Sequence, residues 1–136
     1  AQTGFLDQSQ ADVLKSRDFY RFIQSDIGRR MKAAALSGSL KREQPFCVLI
    51  PADRVNSAFP AEEEILVQGI IDALFMEEGE YVIVDYKTDN VKAMEELADL
   101  YSTQLRYYAM AIEQITGVPV KERVIYSVKM GDQIRV

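Results

Sequence analysis

Between residues 65 and 89 the apolar positions fall into two short runs. Ile65–Met76 is rich in Ile, Leu and Val, and Tyr81–Tyr86 alternates β-branched and aromatic residues. Both compositions suit β-strands. Glu77-Glu78-Gly79-Glu80 separates them, and Gly79 is free to take a positive φ, so the pair predicts a hairpin whose turn type the sequence leaves open. A turn symmetric about Glu78 and Gly79 sets Asp72 directly opposite Asp85. Cross-strand partners have Cβ atoms about 4.5–5.5 Å apart, and like charges there repel. The two-residue period of a strand puts Asp85 and Lys87 on one face.

Residues 11–36 follow a helical pattern instead. Val13, Leu14, Phe19, Phe22, Ile23, Ile27, Met31 and Ala34 recur at helical spacings. Ser25-Asp26 is placed to cap a second helical segment with Gly28 near its start, and Ser37-Gly38-Ser39 stops it. Residues 1–10 read as a polar, frayed lead-in. Glu43–Ala52 predicts a first strand with Pro45 at its beginning, and residues 53–64 a polar loop carrying the acidic run Glu62-Glu63-Glu64. In Met94–Thr116, Leu97, Tyr101, Leu105, Tyr108, Ile112 and Ile115 form one apolar stripe of a long helix ended by Gly117 and Pro119. Lys121–Lys129 predicts a further strand, and Gly131-Asp132 a turn into a short last one, Gln133–Val136. Pattern alone gives a mixed α+β domain around a central sheet.

At 136 residues, 48% hydrophobic and 27% charged, the composition is that of one soluble globular domain. Without histidine no Ser-His-Asp or Cys-His site can form within this chain. The single Cys47, read as a buried strand residue, excludes an internal disulfide, a zinc cluster and a four-cysteine iron–sulfur cluster. The net charge of −5 argues against a module that grips nucleic acid by its own field. The basic cluster Arg29, Arg30, Lys32, Lys41 and Arg42 reads as a solvated helix face or, less readily, as a phosphate contact. No run reaches the roughly 18 apolar residues of a membrane span, and the cytoplasm is the expected compartment.

Most Asp-x-Lys triplets on strands lie on solvated faces. Asp72 changes the balance, because Ile70-Ile71-Asp72-Ala73-Leu74 is a costly setting for an unpaired carboxylate. Two carboxylates and an ammonium converging on one patch of sheet suit a hard divalent cation. Gly69 lets another backbone, a helix or DNA approach closely. Gln104 and Tyr108, four residues apart, share a helix face; they read as core packing and its polar border, or as support for the site. Arg106 lies on another face, within reach of phosphate. Glu43 is either a solvated strand end or an acidic neighbour of the metal site. Asp89 is either a cap or a residue that holds Lys87.

Gly69-Ile70-Ile71-Asp72 followed by Val84-Asp85-Tyr86-Lys87-Thr88-Asp89 resembles the nuclease motif of the PD-(D/E)XK superfamily, in the form of its RecB-like branch. Gln104-Leu105-Arg106-Tyr107-Tyr108 resembles that branch's Q-x-x-x-Y motif, and Arg42-Glu43-Gln44-Pro45-Phe46 the strand that opens its sheet. Order and spacing are most similar to the C-terminal nuclease domain of AddA-type (RexA-type) helicase–nuclease proteins, from about Phe19 onward. The resemblance implies a restriction-endonuclease-like αβββαβ fold, α+β in class, with a mixed central sheet flanked by helices. It implies a single nuclease domain over 1–136, with 1–40 a helical lead-in and 43–136 the sheet and the Q-x-x-x-Y helix.

The implied chemistry is exonuclease-type DNA hydrolysis. Asp72 and Asp85 would bind Mg²⁺, or Mn²⁺, with the backbone carbonyl of Tyr86, and Lys87 would orient the attacking water or stabilise the phosphate charge. Gln104 and Tyr108 would steady the site or the strand. The implied partners are single-stranded DNA, helicase domains of the same parent chain and a second protein of AddB/RexB type. RecB-like nucleases usually carry a metal-binding histidine on an upstream helix. The chain has none and lacks a starting Met, so it is expected to begin after that helix and, alone, to bind metal weakly. Two other readings remain at this stage: a catalytically inactive docking or DNA-guiding module, and a structural domain whose Asp–Asp–Lys cluster is an internal ion network.

Overall fold

A computed structural model describes residues 16–136. The lead-in and the start of the predicted first helix, through residue 15, lie outside the described residues. In chain order the elements are α1 (Ser16–Gln24), α2 (Asp26–Ser37), β1 (Lys41–Pro51), a helical turn α3 (Ala52–Val55), β2 (Glu64–Glu77), β3 (Glu80–Lys87), α4 (Met94–Thr116), β4 (Val120–Ser127) and β5 (Asp132–Arg135). The helical turn α3 was expected as loop.

The five strands form one sheet in sequence order. β3 and β4 pair in parallel across the α4 crossover, and the other neighbours are antiparallel. Parallel neighbours need a crossover of this length, whereas hairpins do not. Two apolar layers enclose the sheet. On one face Phe22, Ile27, Met31 and Ala34 of α1 and α2 meet Ala73, Phe75, Val82, Val84, Val124 and Tyr126. On the other, Leu97, Leu105, Ala109 and Ile112 of α4 meet Phe46, Ile50, Ile71, Leu74, Ile83 and Ile125. The result is the mixed-sheet α+β architecture of restriction-endonuclease-like folds.

Local signals place the boundaries. Ser25 caps α2, its hydroxyl accepting from the Gly28 N–H, and Gly38 ends that helix at φ 79°. The β2–β3 turn has positive φ at both central residues, Glu78 at 55° and Gly79 at 80°. This is the type I′ pattern, whose twist matches that of the strands. The resulting register pairs Ala73 with Val84 and Leu74 with Ile83.

Several expectations need correction. Cys47 is on β1 but exposed; Phe46 and Ile50 take the core-facing positions, so alternation turns Cys47 outward. Ile115, in the last turn of α4, is half-exposed rather than part of the buried stripe. Arg30 leaves the basic cluster. Its guanidinium binds both carboxylate oxygens of Glu77 at 2.8 and 3.0 Å and both of Glu122 at the same distances. Arg29, Lys32 and Lys41 are exposed, as a solvated face requires. Glu43 stands inside β1 rather than before it, at φ 48°.

Candidate active site

The backbone ladder between β2 and β3 ends at Ala73 and Val84, and the same register carries Asp72 opposite Asp85. Beyond that point Asp72 replaces a backbone acceptor: its Oδ2 takes the Tyr86 N–H at 2.8 Å. Strand alternation is broken here. Ile71 and Leu74 both belong to the α4-side core, while Ala73 and Phe75 belong to the other. On β1 the break lies at Glu43, the unpaired position between the pairs Arg42–Ala73 and Gln44–Ile71. Irregularities of this kind re-aim side chains and recur beside active sites. Asp72 thereby faces the same side as Asp85.

Asp85 is 6% exposed. Lys87 Nζ stands 2.9 Å from its Oδ2. The approach is an ion pair without hydrogen-bond alignment, so this buried oxygen has a cation beside it and no aligned donor. Burial, followed by the charge of Asp85, pushes the Asp72 carboxyl up to about 7, against the pull of the Tyr86 N–H. The two carboxyl groups are close enough to share a hydrogen bond when one is protonated. Burial works against the charge of Lys87, but the Asp85 carboxylate outweighs it and holds the ammonium above its usual range. Lys87 is therefore a cation at neutral pH.

Two features of α4 complete the surroundings. The Tyr108 ring lies over Gly69, where an added Cβ would come within 3.0 Å of its hydroxyl, and meets Phe46 edge-on at 5.1 Å. Gln104 donates to the Tyr108 hydroxyl at 3.2 Å. One turn earlier, Tyr101 presents its ring to Lys87, with Nζ 3.8 Å from the centroid. The Tyr101 hydroxyl donates to Asp89 Oδ2 at 2.7 Å. Asp89 thus acts on Lys87 through Tyr101 and is not a helix cap: α4 begins at Met94, behind Ala93, which makes no side-chain cap bond. Sequence reasoning assigned Tyr101 only to the apolar stripe. Its spacing of three from Gln104 and seven from Tyr108 was the signal that all three share one face.

The structure brings Asp72, Asp85, Lys87 and the Tyr86 peptide together, with Gln104 and Tyr108 alongside. Glu43 occupies the register position opposite Asp72 on β1, but it is exposed. Among the described residues no group of three or more Asp, Glu, His or Cys side chains converges. The pair nevertheless fits a hard divalent cation. Its donors are all oxygen, it carries surplus negative charge, and one buried carboxylate oxygen lacks an aligned donor. Mg²⁺ is commonly held by one or two carboxylates with water and substrate oxygens completing the shell.

Residues 4–133 match the family model of the PD-(D/E)XK nuclease superfamily. This chain belongs to that superfamily. The motif's aspartate and its Asp-x-Lys element fall on Asp72 and on Asp85-Tyr86-Lys87, and PD-(D/E)XK nucleases generally use divalent metals. The chain is 34% identical over 136 residues, 97% of its length, to an ATP-dependent helicase/nuclease protein of Clostridium botulinum strain 657, the larger complex's nuclease-bearing component by name. It is 38% identical over 128 residues, 90% of its length, to the protein of the same name from Clostridium novyi, and 35% identical over 126 residues to that of Clostridium kluyveri. It spans 10% of the length of each of these relatives. Among the described residues no helix is long and apolar enough to cross a membrane.

Proposed function

We propose that residues 1–136 are the nuclease domain of a longer helicase–nuclease chain, and that this domain hydrolyses DNA phosphodiester bonds with Mg²⁺, or Mn²⁺ in its place. The observation that carries the reading is the uncompensated pair Asp72–Asp85 with Lys87 at 2.9 Å from Asp85. A structural ion network in this fold looks different. Around Arg30, the cations Lys121 and Arg135 balance Glu77 and Glu122, whereas at the site two carboxylates face one ammonium. Holding a surplus charge in a half-buried place costs stability and makes sense if a cation offsets it.

Asp72 and Asp85 would hold the metal, with the Tyr86 carbonyl as a further oxygen. The bound cation would supply Lewis acidity toward a phosphate oxygen and acidify a water. The chain's own residues do the rest. Lys87, kept charged by Asp85 and seated on Tyr101, orients the attacking water and stabilises the negative charge that gathers on the phosphate as the P–O bond breaks. Gln104 and Tyr108 steady the strand beside it. The exonuclease mode, the AddB/RexB-type second protein, the helicase domains of the parent chain and a cytoplasmic setting follow from the likeness to the helicase/nuclease proteins and belong to the same proposal.

The test is calorimetric titration of Mn²⁺ and Mg²⁺ into the wild type, Asp72→Ala, Asp85→Ala and Lys87→Ala, with cleavage of labelled DNA followed in parallel. Saturable binding lost in both aspartate variants and kept in Lys87→Ala, with the lysine variant slower by about 100-fold or more, supports the assignment. Metal binding that survives both aspartate changes would refute it.

A further inference from the structure

Beside the site lies an open groove of about 700 Å³ between α4, the α3 loop and the first half of β2. This half of β2 pairs with β1 only, because β3 joins β2 from Ala73 onward. Phe59, Leu66, Val55 and Tyr107 give the groove a largely apolar lining, and Gln104 and Tyr108 close the end that adjoins the site. The groove is therefore continuous with the site: the same Tyr108 ring that walls it lies over Gly69, three positions before Asp72.

We propose that this groove binds unpaired nucleotides of the strand being cut, with their bases stacked on Phe59 and Tyr107. The proposal rests on the nuclease reading and names the form of its substrate. Three observations argue for bases as the occupant. The lining contains no charged side chain, so it suits π-faces and not phosphates, and a duplex offers phosphates outside while its bases stay stacked within. Phe59 is 45% exposed on a loop, an aromatic face left without a core to join. Cations stand only at the margins. Arg106 holds its guanidinium 5.4 Å from the Tyr107 ring, and Arg54 is anchored by Gln114. On a chain of net charge −5, this combination places base contacts inside the groove and phosphate contacts along its rims. Gln68 and Gln104 add amides that accept any base edge, which makes the site tolerant of sequence.

The experiment measures binding of a fluorescein-labelled oligo-dT of about 12 nucleotides and of a duplex of equal length to the wild type, Phe59→Ala, Tyr107→Ala and Phe59→Trp. Anisotropy is read in EDTA so that no cleavage intervenes, and thermal melting of each variant checks its fold. Both alanine variants should weaken oligo-dT binding by about 5- to 150-fold without changing their melting or the weaker duplex binding. Phe59→Trp should bind at least as tightly as the wild type. With metal restored, the alanine variants should raise KM for single strands and leave kcat near the wild-type value. Oligo-dT affinity that both alanine changes leave intact, duplex binding as tight as single-strand binding, or no binding of oligo-dT by the wild type would each overturn the proposal. Stacking-dependent binding in a protein that never cleaves would sink the nuclease reading and leave the groove assignment standing.

Discussion

Replacing Asp72 with Asn should stabilise the metal-free protein while abolishing its metal site. Asp72 is raised from an ordinary 3.8 to about 7, by burial first and Asp85 second. A carboxyl with a higher pKa folded than unfolded binds its proton more tightly in the native state. Its stabilising contribution is complete below about pH 4 and is lost as pH rises through about 7. Taken whole, the interval corresponds to about 4 kcal/mol. Solvent reaches part of this side chain and relaxation offsets more, so a difference of about 1–2 kcal/mol at pH 8 is expected. Asn keeps an oxygen for the Tyr86 N–H, now bonded to Asp72 at 2.8 Å, and discards the charge. Urea unfolding in EDTA at about pH 5 and about pH 8 reads the effect through the midpoint at constant slope. The variant should pull ahead of the wild type at the higher pH, and the gap should shrink at the lower. Saturating Mg²⁺ should reverse the order, because only the wild type gains stability by binding. A variant less stable than the wild type at both pH values in EDTA would refute the argument.

Tyr101→Phe keeps the ring under Lys87 and frees Asp89, whereas Tyr101→Ala removes both. Cleavage should fall by about 3-fold and about 30-fold respectively, with metal affinity by calorimetry unchanged; wild-type turnover in the alanine variant would dismiss Tyr101 as a positioning residue. Arg30→Ala should cost about 2 kcal/mol at neutral pH in chemical denaturation, between the values of exposed and buried pairs. Arg30→Lys should recover less than half of that, because an ammonium cannot grip two carboxylates side by side. The hydrogen bond from Arg30, chiefly, holds Glu77 down to about 2. That contribution is present above the ordinary carboxylate range and is lost as pH falls toward about 2, so wild type and Arg30→Ala should converge in acid. A constant difference across that range would count against the clamp.

Much of the fold was legible in local pattern. The helix Met94–Thr116 was bounded by apolar periodicity and Gly117, and a symmetric turn at Glu78-Gly79 fixed the register that sets Asp72 against Asp85. These follow from interactions among near neighbours, where spacing along the chain equals position in space. The candidate motif residues were legible for the same reason, since Asp72, Asp85 and Lys87 sit on one hairpin. What only the tertiary structure decided involves residues far apart in sequence. The break in alternation at Glu43 and Asp72 follows from how β1 meets β2, which no window over either strand contains. The seat of Lys87 on Tyr101 needs α4 laid across the sheet, the clamp of Arg30 reaches from α2 to Glu77 and Glu122, and the groove exists because β3 leaves half of β2 unpaired. Hydrophobic period chooses an element and its buried face; which side chains then meet across layers depends on packing the whole chain into one core.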